Sequence, residues 1–135
     1  MSLTAIRAAL ETTLNAISPA LLTIWENTEG TPVNGTAYQR VFLLPGPPLN
    51  LEIGPSYTER GIFQVNLNYP LGTGPAAATA RAEAIRAAFK FASTHTASGV
   101  TVLVTATPEI GPARTEDDLY FLPVRVRFEA QIYGG

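Results

Sequence analysis

The chain has 135 residues and a mass of 14.4 kDa, enough for one domain with an ordinary core and no cross-links. It has no cysteine, which excludes disulfides and thiolate metal sites. The net charge of −2 comes from nine basic and eleven acidic residues spread along the chain, so no polybasic cluster marks a nucleic-acid binder. Charged residues make up 15 %, against roughly 25 % in an average globular protein, which fits a surface partly covered by partners.

The opening Met1-Ser2-Leu3-Thr4 lacks the basic start and apolar run of a signal peptide, and no apolar stretch approaches a membrane span. The expected class is a soluble intracellular domain. Ser2 or Thr4 is placed to cap a first helix. Leu3, Ile6, Leu10, Leu14 and Ile17 then recur at helical spacing and form one apolar stripe, with Arg7 and Glu11 an i,i+4 pair beside it. Pro19 ends the element. Leu21 to Glu26 reads as a short strand, and Asn27 to Thr36 as a loop of turn formers. Tyr38 to Leu44 is a second strand. Trp25 and Tyr38 are expected in the core. Pro45 to Tyr57 carries four prolines and reads as a long extended loop or hairpin tip.

Glu59 to Tyr69 alternates: Phe63, Val65, Leu67 and Tyr69 face one way, Gln64, Asn66 and Asn68 the other, as in a half-buried strand. A second helix runs from about Pro75 to Phe91, with Ala78, Ala82, Ile85 and Phe89 as its buried stripe. Val100 to Thr107 is a strand, and Pro108 to Asp118 a loop with an acidic end. Leu119 to Tyr133 is a long last strand whose Val124, Val126, Phe128, Ala130 and Ile132 alternate with Arg125, Arg127, Glu129 and Gln131. The order α-β-β-β-α-β-β predicts an α+β domain covering residues 1–135. Its mixed, mostly antiparallel sheet has about five strands and packs with two helices.

Three features raise the question of chemistry. The segment Asn68 to Phe89 holds Gly72 and Gly74 before a helix, but no lysine follows as in a phosphate loop of the Walker type. A turn explains it fully: Pro70 stops the strand, the glycines turn the chain, and Pro75 suits the first helical position. His95, the only histidine, lies in a polar stretch read as loop, without a nucleophile or carboxylate at a recognisable spacing. Glu116-Asp117-Asp118 lacks the alternating ligands and glycine of a calcium loop and reads as a solvated turn or a contact surface.

The segments "MSLTAIRAALETTLNAISPAL", "GTAYQRVFLLPGPP", "RGIFQVNLNYPLGTGPAAATARAEAIRAAF" and "YFLPVRVRFEAQIY" resemble the tail terminator-like proteins of tailed bacteriophages and prophages, from Ser2 to Tyr133. The resemblance implies a structural virion protein with no catalytic residue, cofactor or metal. Such proteins form a homohexameric ring on the head-proximal end of the tail tube. The ring stops tube growth and meets the head–tail connector or head completion protein, while DNA passes through it without specific binding. It implies assembly in the host bacterial cytoplasm and a place in the neck of the virion, without a membrane. Contacts with a neighbouring subunit or with the tail tube are expected from the Pro45–Arg60 and Glu109–Asp118 segments and the polar side of the last strand, at Tyr57, Glu59, Arg60, Arg114, Glu116, Asp117, Asp118, Arg125 and Arg127. Arg125, Arg127 and Glu129 are also expected to guard a strand edge. The alternatives are another neck protein, for tail completion or head–tail joining, and a small ligand-binding or catalytic domain using His95 and the glycine hinge.

Overall fold

A computed structural model describes residues 2–18, 21–26, 36–50, 54, 56–72, 74–116 and 119–133 of the chain. Helix α1 spans Ser2–Asn15 and helix α2 Ala76–Ala88. The strands are β1 (Leu22–Ile24), β2 (Tyr38–Pro45), β3 (Tyr57–Pro70), β4 (Thr94–Ala97), β5 (Val100–Val104), β6 (Glu109–Ile110), β7 (Arg114–Glu116) and β8 (Leu119–Ile132). They form one sheet in the order β1-β2-β3-β8-β5-β4, with β6 and β7 also paired to β8. Every pair is antiparallel except β1 with β2. The α+β class holds. The five strands expected from sequence are β1, β2, β3, β5 and β8.

The three further strands lie where loops were expected. Residues 94–97 pair with β5, so His95 sits in a strand. Residues 109–110 and 114–116 pair with successive parts of β8. These segments are too short and polar to show a two-residue period, and partner backbone alone makes them strands. Strand β3 starts at Tyr57, two residues before the strand expected from Glu59, so Tyr57 and Thr58 belong to it rather than to the preceding loop. That loop is itself tied back, by Gly46 N–H to the Arg60 carbonyl (2.7 Å) and by the Leu49–Thr58 bridge. Asp117 and Asp118, Pro19 and most of the Asn27–Thr36 loop lie outside the described residues.

The centre is the ladder of β3 and β8, each 14 residues long and paired from Tyr57 with Ile132 to Pro70 with Leu119. Its register puts Phe63, Val65 and Leu67 opposite Val126, Val124 and Leu122, all buried on one face. Both helices close this face. Ile6, Leu10 and Leu14 of α1 and Ala78, Ala82 and Ile85 of α2 join one core with it, completed by Phe89 just past α2. Leu3 is 38 % exposed and falls outside the stripe, where Ala5 and Ala9 pack instead. Thr4 is inside α1, not its cap. Helix α2 begins one residue later than expected, with Pro75 at the N-cap, and stops at Ala88. Gly72 and Gly74 have φ of +86° and +77°, so the chain turns there through conformations costly for other residues.

Gly61 has a different reason. It faces Phe128 across the ladder, and a Cβ there would collide with the Leu44 carbonyl oxygen, lie 2.9 Å from Pro45 Cα and press on the Phe128 ring. The close approach of β2 requires its absence. Gly61→Ala is therefore expected to destabilise the fold by about 1–3 kcal/mol, through displaced backbone in β2. Urea denaturation checks this, and an unchanged midpoint contradicts it.

Candidate assembly surface

Among the described residues no helix lies over the opposite face of the sheet. The strand registers lay its side chains out in rows. Leu44, Ile62 and Arg127 form one row, and Phe42, Gln64, Arg125 and Glu109 the next. Arg40, Asn66 and Pro123 follow, and then Tyr38, Asn68, Phe121 and Arg114. Beyond Leu44 the row of Arg60 and Glu129 ends the face. A groove of about 520 Å³ opens at that end, between Leu44, Pro47, Arg60, Ile62, Thr105 and Arg127.

Five of the nine basic residues thus share one face: Arg40, Arg60, Arg114, Arg125 and Arg127. All are arginine; the one lysine, Lys90, is elsewhere. Arg127 donates through Nε and Nη2 to Glu109 Oε1, at 3.2 and 2.9 Å. Both partners are about half exposed, so the pair contributes only about 0.2–1 kcal/mol. Arg125 donates to the Gly111 carbonyl and Arg60 to the Pro47 carbonyl, each at 3.1 Å. Arg114 lies over the Phe121 ring at 4.5 Å and Arg40 over Tyr38 at 5.6 Å. These contacts hold the guanidinium planes against the sheet and reduce the entropy lost when a partner arrives. The middle of the face is apolar and amide: Phe42, Ile62 and Phe121 around Gln64 and Asn66, with Gln64 donating to Asn66 Oδ1 at 2.8 Å. The face is thus rich in arginine and aromatic residues and carries no lysine among the described residues, a composition enriched at protein interfaces.

Of the residues expected to make contacts, the fold brings Arg60, Arg114, Arg125 and Arg127 together here. Glu116 occupies a register position at the end of the same face, opposite Leu119. Tyr57 and Glu59 fall on the core-facing side of β3; Tyr57 packs against the core and Glu59 is 8 % exposed. Arg40, Phe42 and Phe121 are the residues sequence reasoning missed. The alternation of β8 signalled Phe121, but the matching of β2 with β3 had no signal in either strand. Arg125, Arg127 and Glu129 guard no sheet edge, because β8 is paired on both sides.

His95 has a structural place. Thr13 Oγ1 donates to the Ala9 carbonyl (3.1 Å), so its oxygen accepts from His95 Nδ1 at 3.0 Å. Nε2 then accepts from Ser93 Oγ at 3.1 Å. The ring also packs on Phe89, 5.1 Å between centroids. The histidine joins α1, β4 and the end of α2. The Ser93 contact has the spacing of a base and a nucleophile, but a hydroxyl stands where a carboxylate would stabilise the imidazolium. Among the described residues no three His, Cys, Asp or Glu side chains gather to hold a metal, and no helix is long and apolar enough to cross a membrane.

A sequence profile of phage tail terminator proteins matches residues 5–128. A solved protein structure without a descriptive name is 29 % identical, covers 100 % of this chain and 99 % of its own, and superposes with a TM-score of 0.81. A protein from the virion of a native gene transfer agent particle is 16 % identical over 96 % of this chain and 97 % of its own, with a TM-score of 0.62, a likeness of fold. No curated protein matches.

Burial holds the His95 pKa below its ordinary value of 6.5. The neutral ring is the one the fold favours, so its contribution is complete above that value and is lost as pH falls through the folded pKa. His95→Ala is expected to lower stability by about 1–3 kcal/mol at pH 7.5, with a gap to wild type that narrows as pH falls below 6.5. Chemical denaturation across that range measures the gap; a constant gap would contradict the assignment.

Proposed function

The chain belongs to the phage tail terminator family, and from that premise we propose that it forms a homohexameric ring capping the head-proximal end of a tail tube. Its role is structural, in the tail of a virion. On this reading the ring stops addition of tube protein and offers its free side to the head–tail connector or head completion protein. Assembly takes place in the host cytoplasm, and no catalytic step is required.

The observation that carries the reading is the arginine and aromatic face of the sheet. A ring closes through heterologous contacts, which need two different patches on each subunit. A face left open by both helices, with side chains already held flat, supplies one of them. Its charge also argues for its direction. Five arginines lining the central channel would bind the phosphates of passing DNA. Turned toward the neighbouring subunit, they are covered and the DNA passes freely. Arg60, Arg114, Arg125 and Arg127 are therefore placed in the ring contact. Glu116, Asp117 and Asp118 are proposed to act in joining to the tube or connector. Tyr57 and Glu59 act behind the contact by fixing the start of β3.

Native mass spectrometry of the protein with and without tail tubes, followed by electron microscopy of tube ends, tests the proposal. Six copies and a ring at one end are expected. Arg125→Ser with Arg127→Ser is expected to weaken ring association at least about tenfold while leaving the fold intact, since two interface arginines are lost. Replacing Glu116, Asp117 and Asp118 by serine is expected to impair joining to the tail instead. A monomer that ignores tube ends at high concentration would overturn the reading.

A further inference from the structure

Strand β2 is paired along its whole length with β3, but on its other side β1 reaches only Tyr38–Arg40. That pairing takes up backbone groups as far as the Val41 N–H, and among the described residues no strand pairs with that side beyond it, to Pro45. The Gly46 N–H points inward to β3, and strand alternation then turns the backbone of residues 41, 43 and 45 outward. Two devices occupy this edge. The Leu43 N–H donates to Glu26 Oε1 at 2.9 Å, and Pro45 has no N–H to offer. The same Glu26 oxygen accepts from Arg7 Nη1 at 2.9 Å, so the carboxylate is held from α1 as well as from the strand.

We infer that the Glu26 carboxylate plugs the open edge of β2 against strand addition by a second copy of this chain. The edge is self-complementary. In an antiparallel pair each residue presents its N–H and C=O to the same side. Two copies related by a twofold axis through Leu43 would therefore exchange both of its backbone bonds. On both flanks Val41 of one copy would face Pro45 of the other, which offers no N–H, so the Leu43 pair carries the exchange. The carboxylate takes the position that the second copy's Leu43 carbonyl needs. It is an acceptor only and brings a charge that an incoming strand would have to displace. Such pairing is isologous and competes with the head-to-tail contacts of a ring. The plug acts on the backbone edge of β2, and its action does not depend on how the arginine side chains are used.

Sedimentation velocity over a wide concentration range reads the outcome. Glu26→Ala removes the acceptor and is expected to add dimeric association at least about tenfold tighter than any in the wild type. Glu26→Gln keeps a carbonyl acceptor for Leu43 and is expected to stay near the wild-type distribution. A folded Glu26→Ala protein, by circular dichroism, with the wild-type distribution would overturn the inference. Should that variant fail to fold, amide hydrogen exchange on the wild type decides. The Leu43 amide is expected to exchange at least about a hundredfold more slowly than an unstructured amide, and exchange at the unprotected rate would overturn the plug.

Discussion

The structure depends on one uninterrupted pairing, the ladder between β3 and β8. Both strands are 14 residues long and stay in register from end to end. A slip of one residue would move every side chain to the opposite face, so the apolar set of both strands holds the register. Phe63, Val65 and Leu67 meet Val126, Val124 and Leu122, and the helices have a single surface on which to pack. The other elements are arranged around this spine. Strand β2 extends it on one side, while β5, β6 and β7 share its second side in succession.

That register also sets the chemistry of the opposite face. Once Val124 and Val126 face the core, Arg125 and Arg127 must face away, beside Gln64 and Ile62. Because β2 pairs in fixed register, Phe42 and Leu44 fall in the same rows. The core and the proposed ring contact are two sides of one constraint. A polar contact such as Arg127 with Glu109 adds little to stability at that exposure, whereas its placement decides what a partner meets.

The edges of the sheet are managed by other parts of the chain. At one end, β4 lies under α1, with His95 bonded to Thr13 of that helix. At the other, β1 is short and Glu26 and Pro45 occupy the remaining rim of β2. The carboxylate also serves the subunit directly: its pKa is held below the ordinary value by the Leu43 N–H and by Arg7, so it stays charged through mild acid. An assembly protein gains from such closure, since it must join at chosen surfaces and nowhere else.

Long periodic segments were legible in the sequence. The alternation of β3 and β8, the stripes Ile6–Leu10–Leu14 and Ala78–Ala82–Ile85, and the proline–glycine turn before α2 follow from side-chain spacing and backbone sterics, which are local properties. The α+β class followed from those elements, and the resemblance of whole segments pointed to the family. Short strands were not legible. Residues 94–97, 109–110 and 114–116 have no period of their own and become strands only because β5 or β8 supplies hydrogen-bond partners. The arginine face was equally hidden: Arg40, Arg60, Arg114, Arg125 and Arg127 are scattered along the chain and meet only through strand register. Glu26 reads as the end of a short strand; its part as a plug depends on Leu43, seventeen residues away, turning its N–H outward. The sequence by itself determined the elements whose stability comes from their own pattern. Only the tertiary structure decided the shared face and the closed edge, because both arise from pairing between segments distant in the chain.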